Sequence, residues 1–265
     1  MPEFPQPPVD MVMPPTAQLF ATIGLWLPAT ALFVAAAVYW RRGGSPVYLL
    51  GMVGGLIAAL NEPIADILLD CYHAEIGQWT VFSSFGRDIP LWAVGFYPIY
   101  FGGLTLLIYT LLLRGVTRRS YWLIAGVVVL GNVVLEWPVL PLHMYLYYGD
   151  QPYRVLGFPV VVGVLNTLGA TLGATLMAHL AGWLTGHRRL LILAIPAVTD
   201  LAAYGVVLPH LLTLNSAASI PVKYLGTTAG IVLGLAALDG IGRFAARRFP
   251  SGQVPAVNPS PVAAG

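Results

Sequence analysis

The chain has 265 residues, of which 57% are hydrophobic and 9% are charged, and its formal net charge is +2. A soluble domain carries about 25% charged residues, so this composition excludes an ordinary soluble protein and indicates an integral membrane protein. The small net charge predicts no nucleic-acid partner, and a single cysteine, Cys71, excludes an internal disulfide and a cysteine-based zinc site.

The apolar segments predict seven transmembrane helices. A hydrocarbon core about 30 Å thick needs roughly 20 apolar residues per helix, and seven stretches of the chain meet this length. They are residues 17–40, 46–69, 89–113, 121–140, 156–184, 190–214 and 217–241. No stretch alternates as the strands of a membrane barrel do. The sequence therefore predicts an all-α, polytopic protein in which residues 17–248 form one seven-helix transmembrane domain.

The positions of the basic residues predict the orientation of this bundle. Ten of the 13 Lys and Arg residues follow predicted helices one, three, five and seven, and the other three are Arg87, Arg154 and Lys223. Cytoplasmic loops carry the excess of Lys and Arg. We therefore expect a multi-pass protein of the cell membrane with its N-terminus outside and its C-terminus in the cytoplasm.

The two ends of the chain differ in composition from the helical region. Residues 1–16 are rich in proline and lack the basic start of a secretory signal peptide. Residues 249–265 are mostly small residues and proline, which predicts a disordered C-terminal tail.

Predicted helix two carries four ionisable side chains on one stripe. Glu62, Asp66, Asp70 and His73 follow one another at steps of four, four and three residues, which keeps them on one face of a helix. A carboxylate near the bilayer centre costs on the order of 3 kcal/mol, so aligned acids indicate a polar cavity. We predict functional roles for Glu62 and Asp66 and expect Asp70 and His73 at the rim.

Two further acids stand alone in apolar helices. Glu136 lies deep in predicted helix four and Asp200 near the middle of predicted helix six. Acids inside membrane helices are functional by default, so Glu62, Asp66, Glu136 and Asp200 are the predicted catalytic residues. Several acids close together in a low dielectric cannot all ionise, so one can serve as a general acid while another serves as a general base; the sequence does not say which.

Aromatic and amide side chains at similar depth are the predicted substrate-binding residues. They are Trp92, Tyr97, Tyr100, Asn132, Asn166 and Tyr204. The aromatic run on predicted helix three has a second interpretation as core and interface anchoring. The tyrosines around the outer loop that follows predicted helix four, Tyr145, Tyr147, Tyr148 and Tyr153, are expected in the aromatic belt at the headgroup level.

Two further features of the sequence concern helix packing and cofactors. Small residues spaced four apart, as at Gly169 and Gly173 and at Gly226, Gly230 and Gly234, predict close helix packing. The sequence contains no P-loop, zinc motif or Rossmann fingerprint. We therefore expect a site that needs neither a metal nor a cofactor.

Three segments resemble a known family of membrane enzymes. They are NEPIADILL at 61–69, GRDIPLW at 86–92 and LEWPVLPLHMY at 135–145. In overall plan the chain resembles the avermectin-type spirocyclases, and in size and buried acids it is similar to the seven-helix membrane terpene cyclases. The resemblance implies a cyclase, of isomerase or lyase type, that acts on a hydrophobic polyketide or isoprenoid intermediate of bacterial secondary metabolism. It assigns no site residue.

A proton-coupled transporter or channel is the alternative prediction, because aligned acids also form proton relays. The absence of an inverted repeat and the concentration of polar residues in one half of the membrane favour the enzyme. A retinal-type photoreceptor is disfavoured because Lys223 lies at the outer start of its helix rather than in the middle.

Overall fold

The computed structural model describes residues 5–251, and helices account for most of them. Ten α-helices are present in this range. They are α1 (Pro15–Arg41), α2 (Val47–Ala58), α3 (Glu62–Leu68), α4 (Leu91–Tyr97), α5 (Thr105–Leu113), α6 (Arg118–Glu136), α7 (Val160–His179), α8 (Ile195–Val206), α9 (Leu208–Leu214) and α10 (Ile220–Arg248).

Six helical segments in the described range are long and apolar enough to cross a membrane. They are Pro15–Arg41, Val47–Leu68, Leu91–Leu113, Arg118–Glu136, Val160–His179 and Ile220–Arg248. The predicted sixth helix is instead broken: a 3₁₀ segment, Gly186–Leu193, meets α8 at a bend of 47°. If this bent pair forms one span, the described range contains seven possible membrane spans.

Two of the spans change helical type along their length. A 3₁₀ turn, Ala59–Asn61, separates α2 from α3 just before Pro63, and a π-helical segment, Pro98–Leu104, joins α4 to α5. Proline has no backbone N–H to donate and clashes with the preceding turn, so both irregularities coincide with a proline. The first of them lies immediately before Glu62.

Within the described range, six short strands that the sequence does not predict form three antiparallel pairs. Cys71–His73 (β1) pairs with Tyr145–Tyr147 (β4), Thr80–Ser84 (β2) with Arg87–Pro90 (β3), and Arg154–Val155 (β5) with Phe158–Pro159 (β6). All of them lie in the connections at the same end of the bundle, between α3 and α4 or between α6 and α7. They form a cap over the helix ends there.

Helices approach one another closely at several glycine positions. A Cβ atom added to Gly169 would lie 3.2 Å from the Asp200 Cα atom, and one added to Gly230 would lie 3.0 Å from the His210 Cβ atom. At Gly55 the added atom would overlap the backbone of Gly102 in the π-helical segment. The predicted packing role of the glycine repeats is therefore confirmed.

The first and last described residues lie at opposite ends of the bundle. The described part of the predicted N-terminal segment joins the cap, where the Met13 amide donates to the Ile76 carbonyl at 2.9 Å. At the other end, the Val116 amide donates to the Phe249 carbonyl at 2.8 Å. Residues 1–4 of the N-terminal segment and residues 252–265 of the predicted disordered tail lie outside the described residues.

Candidate active site

A cavity lies beneath the cap and contains most of the predicted site residues. Its space, counted with its open mouth, is about 780 Å³. Its ionisable and amide lining residues are Glu62, Asp66, His73, Glu136, Asn166 and Asp200. Its largest aromatic lining residues are Trp92, Phe96, Tyr97, Phe101, Tyr145, Tyr147 and Tyr204. The structure thus brings all four predicted catalytic acids to one cavity.

His73 lies between two of these acids. Its Nδ1 atom is 3.2 Å from Asp66 Oδ2, and its Nε2 atom is 3.5 Å from Glu62 Oε1. Asp66 and His73 are only 2% and 3% exposed. Glu62 also accepts a hydrogen bond from the Tyr97 hydroxyl. The result is a continuous Asp66–His73–Glu62–Tyr97 chain of polar contacts along one side of the cavity.

The expected position of His73 at the rim is wrong. The helical stripe ends at Leu68, and Asp70 has a backbone φ of 48°, in the left-handed region. The chain therefore turns back, and β1 places His73 over the last turns of the helix, where it stacks on Tyr145 at a ring separation of 5.6 Å. A continuous helix would have carried this side chain away from the acids.

Glu136 is held by two phenols. The hydroxyls of Tyr145 and Tyr147 donate to Glu136 Oε2 at 2.7 and 3.0 Å. Alternate residues of a strand share one face, so β4 presents both tyrosines to the same carboxylate. The expected belt position of these two side chains is therefore wrong, because both are buried. Glu136 Oε1 makes no hydrogen bond to the described residues.

Asp200 is held in position by Asn61, which belongs to the 3₁₀ turn that interrupts the second span. The Asn61 amide donates to Asp200 Oδ2 and to the Ala197 carbonyl, both at 2.9 Å. Asp200 is 2% exposed, and Tyr204 lies one turn further along the same helix. Asp200 Oδ1 has no hydrogen-bond partner within residues 5–251. Asn61, which positions this acid, was not among the predicted site residues.

Two of the predicted substrate-binding residues are not in the cavity lining. Asn132 is fully buried behind it, donates to the Tyr100 hydroxyl, and accepts a hydrogen bond from Asn166 at 2.9 Å. Tyr100 and Asn132 therefore support Asn166 rather than face the cavity. Trp92 does line the cavity, and its buried indole N–H has no acceptor in the part of the chain that the structure describes.

Groups in the cap have pKa values that reflect their burial. Burial disfavours the charged form of His73, but the carboxylates of Asp66 and Glu62 outweigh this effect, and the pKa of His73 is raised. Burial raises the pKa of the Cys71 thiol well above its usual value, with Asp66 as the next cause. Burial also raises the pKa of Asp70 to about 6. The cap therefore favours a protonated imidazole beside the acids.

Glu62, Asp66 and His73 also have the composition of a metal site. One donor atom from each lies within 4.8 Å of the other two. Carboxylate and imidazole together suit zinc, iron or manganese. The contacts of His73 with both carboxylates, however, already use both of its ring nitrogens.

No protein-family model, curated protein or solved structure matches this chain.

Proposed function

We propose that this protein is a membrane-embedded acid–base enzyme that cyclises or dehydrates a hydrophobic polyketide or isoprenoid intermediate of bacterial secondary metabolism. The observation that carries the proposal is the convergence of Glu62, Glu136 and Asp200 on one largely apolar cavity. A carboxyl group buried away from water is costly unless it is partnered. Three carboxyl groups around one largely apolar cavity are typical of a site that moves protons.

The contacts of the acids suggest a division of roles. A protonated His73 stabilises charge on Glu62, which makes Glu62 the general base. Glu136 and Asp200 each have one oxygen held by protein donors and another without a partner among residues 5–251. Neither contacts a cationic side chain among the described residues, so each is suited to donate a proton to the substrate.

The proposed step balances without an oxidant or a reductant. A carboxylic acid donates its proton to a hydroxyl, epoxide or alkene of the substrate. With an epoxide, one of its carbon–oxygen bonds breaks and an alkene of the same molecule forms a new carbon–carbon bond to that carbon. With an alkene, the added proton leaves a carbocation, to which a second alkene of the molecule bonds. With a hydroxyl, the carbon–oxygen bond breaks, water leaves, and an attacking hydroxyl forms the new carbon–oxygen bond. Glu62 removes a proton from the resulting cation or from the attacking hydroxyl, and proton exchange between the acids restores the starting state. The unpartnered Trp92 N–H favours a substrate that carries an oxygen acceptor nearby.

The proposal includes seven transmembrane spans in the cell membrane, with the bent sixth segment counted as one and the N-terminus outside. Reporter fusions after Arg119 and after Arg189 test this orientation. Both should report a cytoplasmic location, and an external signal at either site would contradict the seven-span arrangement.

The catalytic proposal is tested with two lipophilic probes in membranes that contain the protein. A polyprenyl epoxide reports ring closure without a change in mass, and a dihydroxyketone reports spiroketal formation by the loss of water. Glu62→Gln, Glu136→Gln and Asp200→Asn should each slow turnover by about 100-fold or more, the scale of general acid–base catalysis. Asp10→Asn, in an exposed turn, is the control.

Two outcomes would contradict the proposed enzymatic function. If all three variants convert a probe at the parental rate, the acids do not catalyse the reaction. If neither probe reacts and the variants instead abolish proton-driven uptake into vesicles, the protein is a proton-coupled transporter.

A further inference from the structure

We propose that the substrate enters this cavity sideways from the lipid, through an opening between helices α1 and α4 on one side and α6 on the other. The substrate class is therefore a molecule dissolved in the bilayer rather than one delivered from water. The inference rests on the proposed function only in treating the cavity as the reaction site.

The cap closes the end of the cavity that faces water. Its inner layer consists of side chains that are almost fully buried: Met13, Tyr72, Ala74, Ile89 and Met144. The Ala74 amide donates to the Met144 carbonyl at 3.0 Å and so extends the β1–β4 pairing. A route through this end would require the cap to unpack.

The cap is also tied to the first helix. The Gln18 side chain accepts a hydrogen bond from the Trp79 amide at 2.6 Å and donates to the Gly77 carbonyl at 3.3 Å. Gln18 is 1% exposed although it lies on the first helix, most of whose residues are not buried. These two hydrogen bonds hold the α3–α4 connection against α1, so the cap is fixed to the first helix.

The side of the cavity is less tightly closed. Four apolar lining residues remain partly exposed: Leu25 on α1, Phe96 on α4, and Leu135 and Val139 on or just after α6. Helix α1 packs extensively on α4, and α6 packs extensively on α7 and α10. Within residues 5–251, comparably extensive packing does not join α6 to α1 or to α4. We call the opening between these helices the lateral portal.

The surroundings of the lateral portal are apolar. On α6, Leu130 and Val134 are 63% and 68% exposed, and on α1, Leu27 is 69% exposed. Large exposed apolar side chains on membrane-spanning helices face lipid tails. A charged molecule would have to leave water and cross this surface, whereas a lipophilic molecule would already be dissolved beside it.

The only cysteine of the chain gives a test that needs no knowledge of the reaction. Cys71 is buried and lines the cavity. In liposomes that contain the protein, labelling of Cys71 is followed with N-phenylmaleimide and with its sulfonated, charged analogue. Because Cys71 is buried, labelling is followed over hours at neutral pH with the reagents renewed. The apolar reagent should label Cys71 much faster than the charged one.

A tryptophan placed in the portal should block this labelling. Leu135→Trp should slow the reaction with N-phenylmaleimide by about tenfold, equivalent to about 1.4 kcal/mol of added barrier. Leu130→Trp places the same side chain on the lipid-facing side of the same helix and should leave the rate unchanged. Val139→Trp is the second portal variant, and melting temperatures verify that each variant is folded.

Three results would overturn the lateral portal. They are equal rates for the two reagents in the parental protein, no labelling by either reagent, and an unchanged rate in both folded portal variants. If neither portal variant folds, the comparison of the two reagents in the parental protein decides alone. Failure of the acid variants to slow turnover would contradict the proposed chemistry while leaving these labelling results unaffected.

Discussion

Asp70→Asn should stabilise the protein at neutral and alkaline pH. The Asp70 carboxylate lies in the cap, where its Oδ2 atom is buried without a hydrogen-bond partner among the described residues. Its backbone has a φ of 48°, a conformation that asparagine adopts as readily as aspartate. The substitution thus removes the titrating group while keeping the shape and the turn.

The magnitude follows from the pKa of Asp70, which burial raises from 3.8 to about 6. Because the folded protein binds this proton more tightly than the unfolded chain, charging the carboxylate destabilises the fold. The full penalty is present above about pH 6, declines as the pH falls from about 6 to about 4, and is absent below that. The shift corresponds to about 3 kcal/mol at most. Partial access to solvent reduces this to about 1–2 kcal/mol.

Thermal unfolding of the detergent-solubilised protein measures the effect. At pH 8 the Asp70→Asn variant should melt about 3–6 °C above the parental protein, and the difference should disappear near pH 4. Asp10→Asn, on an exposed turn, should show no such pH-dependent difference. An equal difference between variant and parent at both pH values would refute the reasoning, since it would show that titration of Asp70 is not the cause.

Three further substitutions test contacts of the site and the bundle by the same melting assay. His73→Ala leaves the buried Asp66 and the partly buried Glu62, which it separates, without their partner and should cost about 3–5 kcal/mol; an unchanged melting temperature would contradict the ionic contact. Gly55→Ala should cost about 1–3 kcal/mol because its Cβ atom would overlap the backbone of the third span, whereas Gly126→Ala, with nothing within 4 Å, should not destabilise. Tyr145→Phe removes one donor to Glu136 and should cost about 0.5–1.5 kcal/mol; parental stability would show that this hydrogen bond contributes nothing.

Hydropathy predicts the membrane-spanning segments well but not their irregularities. The predicted fourth helix, 121–140, is observed as Arg118–Glu136, because the chain leaves the helix just before Pro138. The predicted sixth helix, 190–214, is broken ahead of Pro196 and again ahead of Pro209. Apolar content reports which residues avoid water, whereas the breaks depend on local backbone hydrogen bonding.

The site was predictable where one helix carries its residues. The four-residue spacing of Glu62 and Asp66 places both on one helix face, and both line the cavity. The cap residues could not be predicted in this way. The depth of each side chain in the membrane was inferred as if the helix continued past Leu69, whereas the chain turns back at Asp70. The alternation of Tyr145 and Tyr147 was a usable signal, since residues two apart share one face of a strand. The pairing partner of that strand could not be identified from so short a pattern.

The Asn61–Asp200 contact has a consequence for how the protein is made. The two residues are 139 positions apart, so Asn61 enters the membrane well before its partner has been synthesised. An unpartnered aspartate costs on the order of 3 kcal/mol at the centre of an inserting helix. In the proposed seven-span arrangement, the segment that carries Asp200 therefore enters the membrane most easily against helices that are already in place, where the Asn61 amide can donate to it. Insertion of this bent segment is then a step that depends on earlier assembly, and a chain from which residues 1–61 are deleted should release it to the aqueous side.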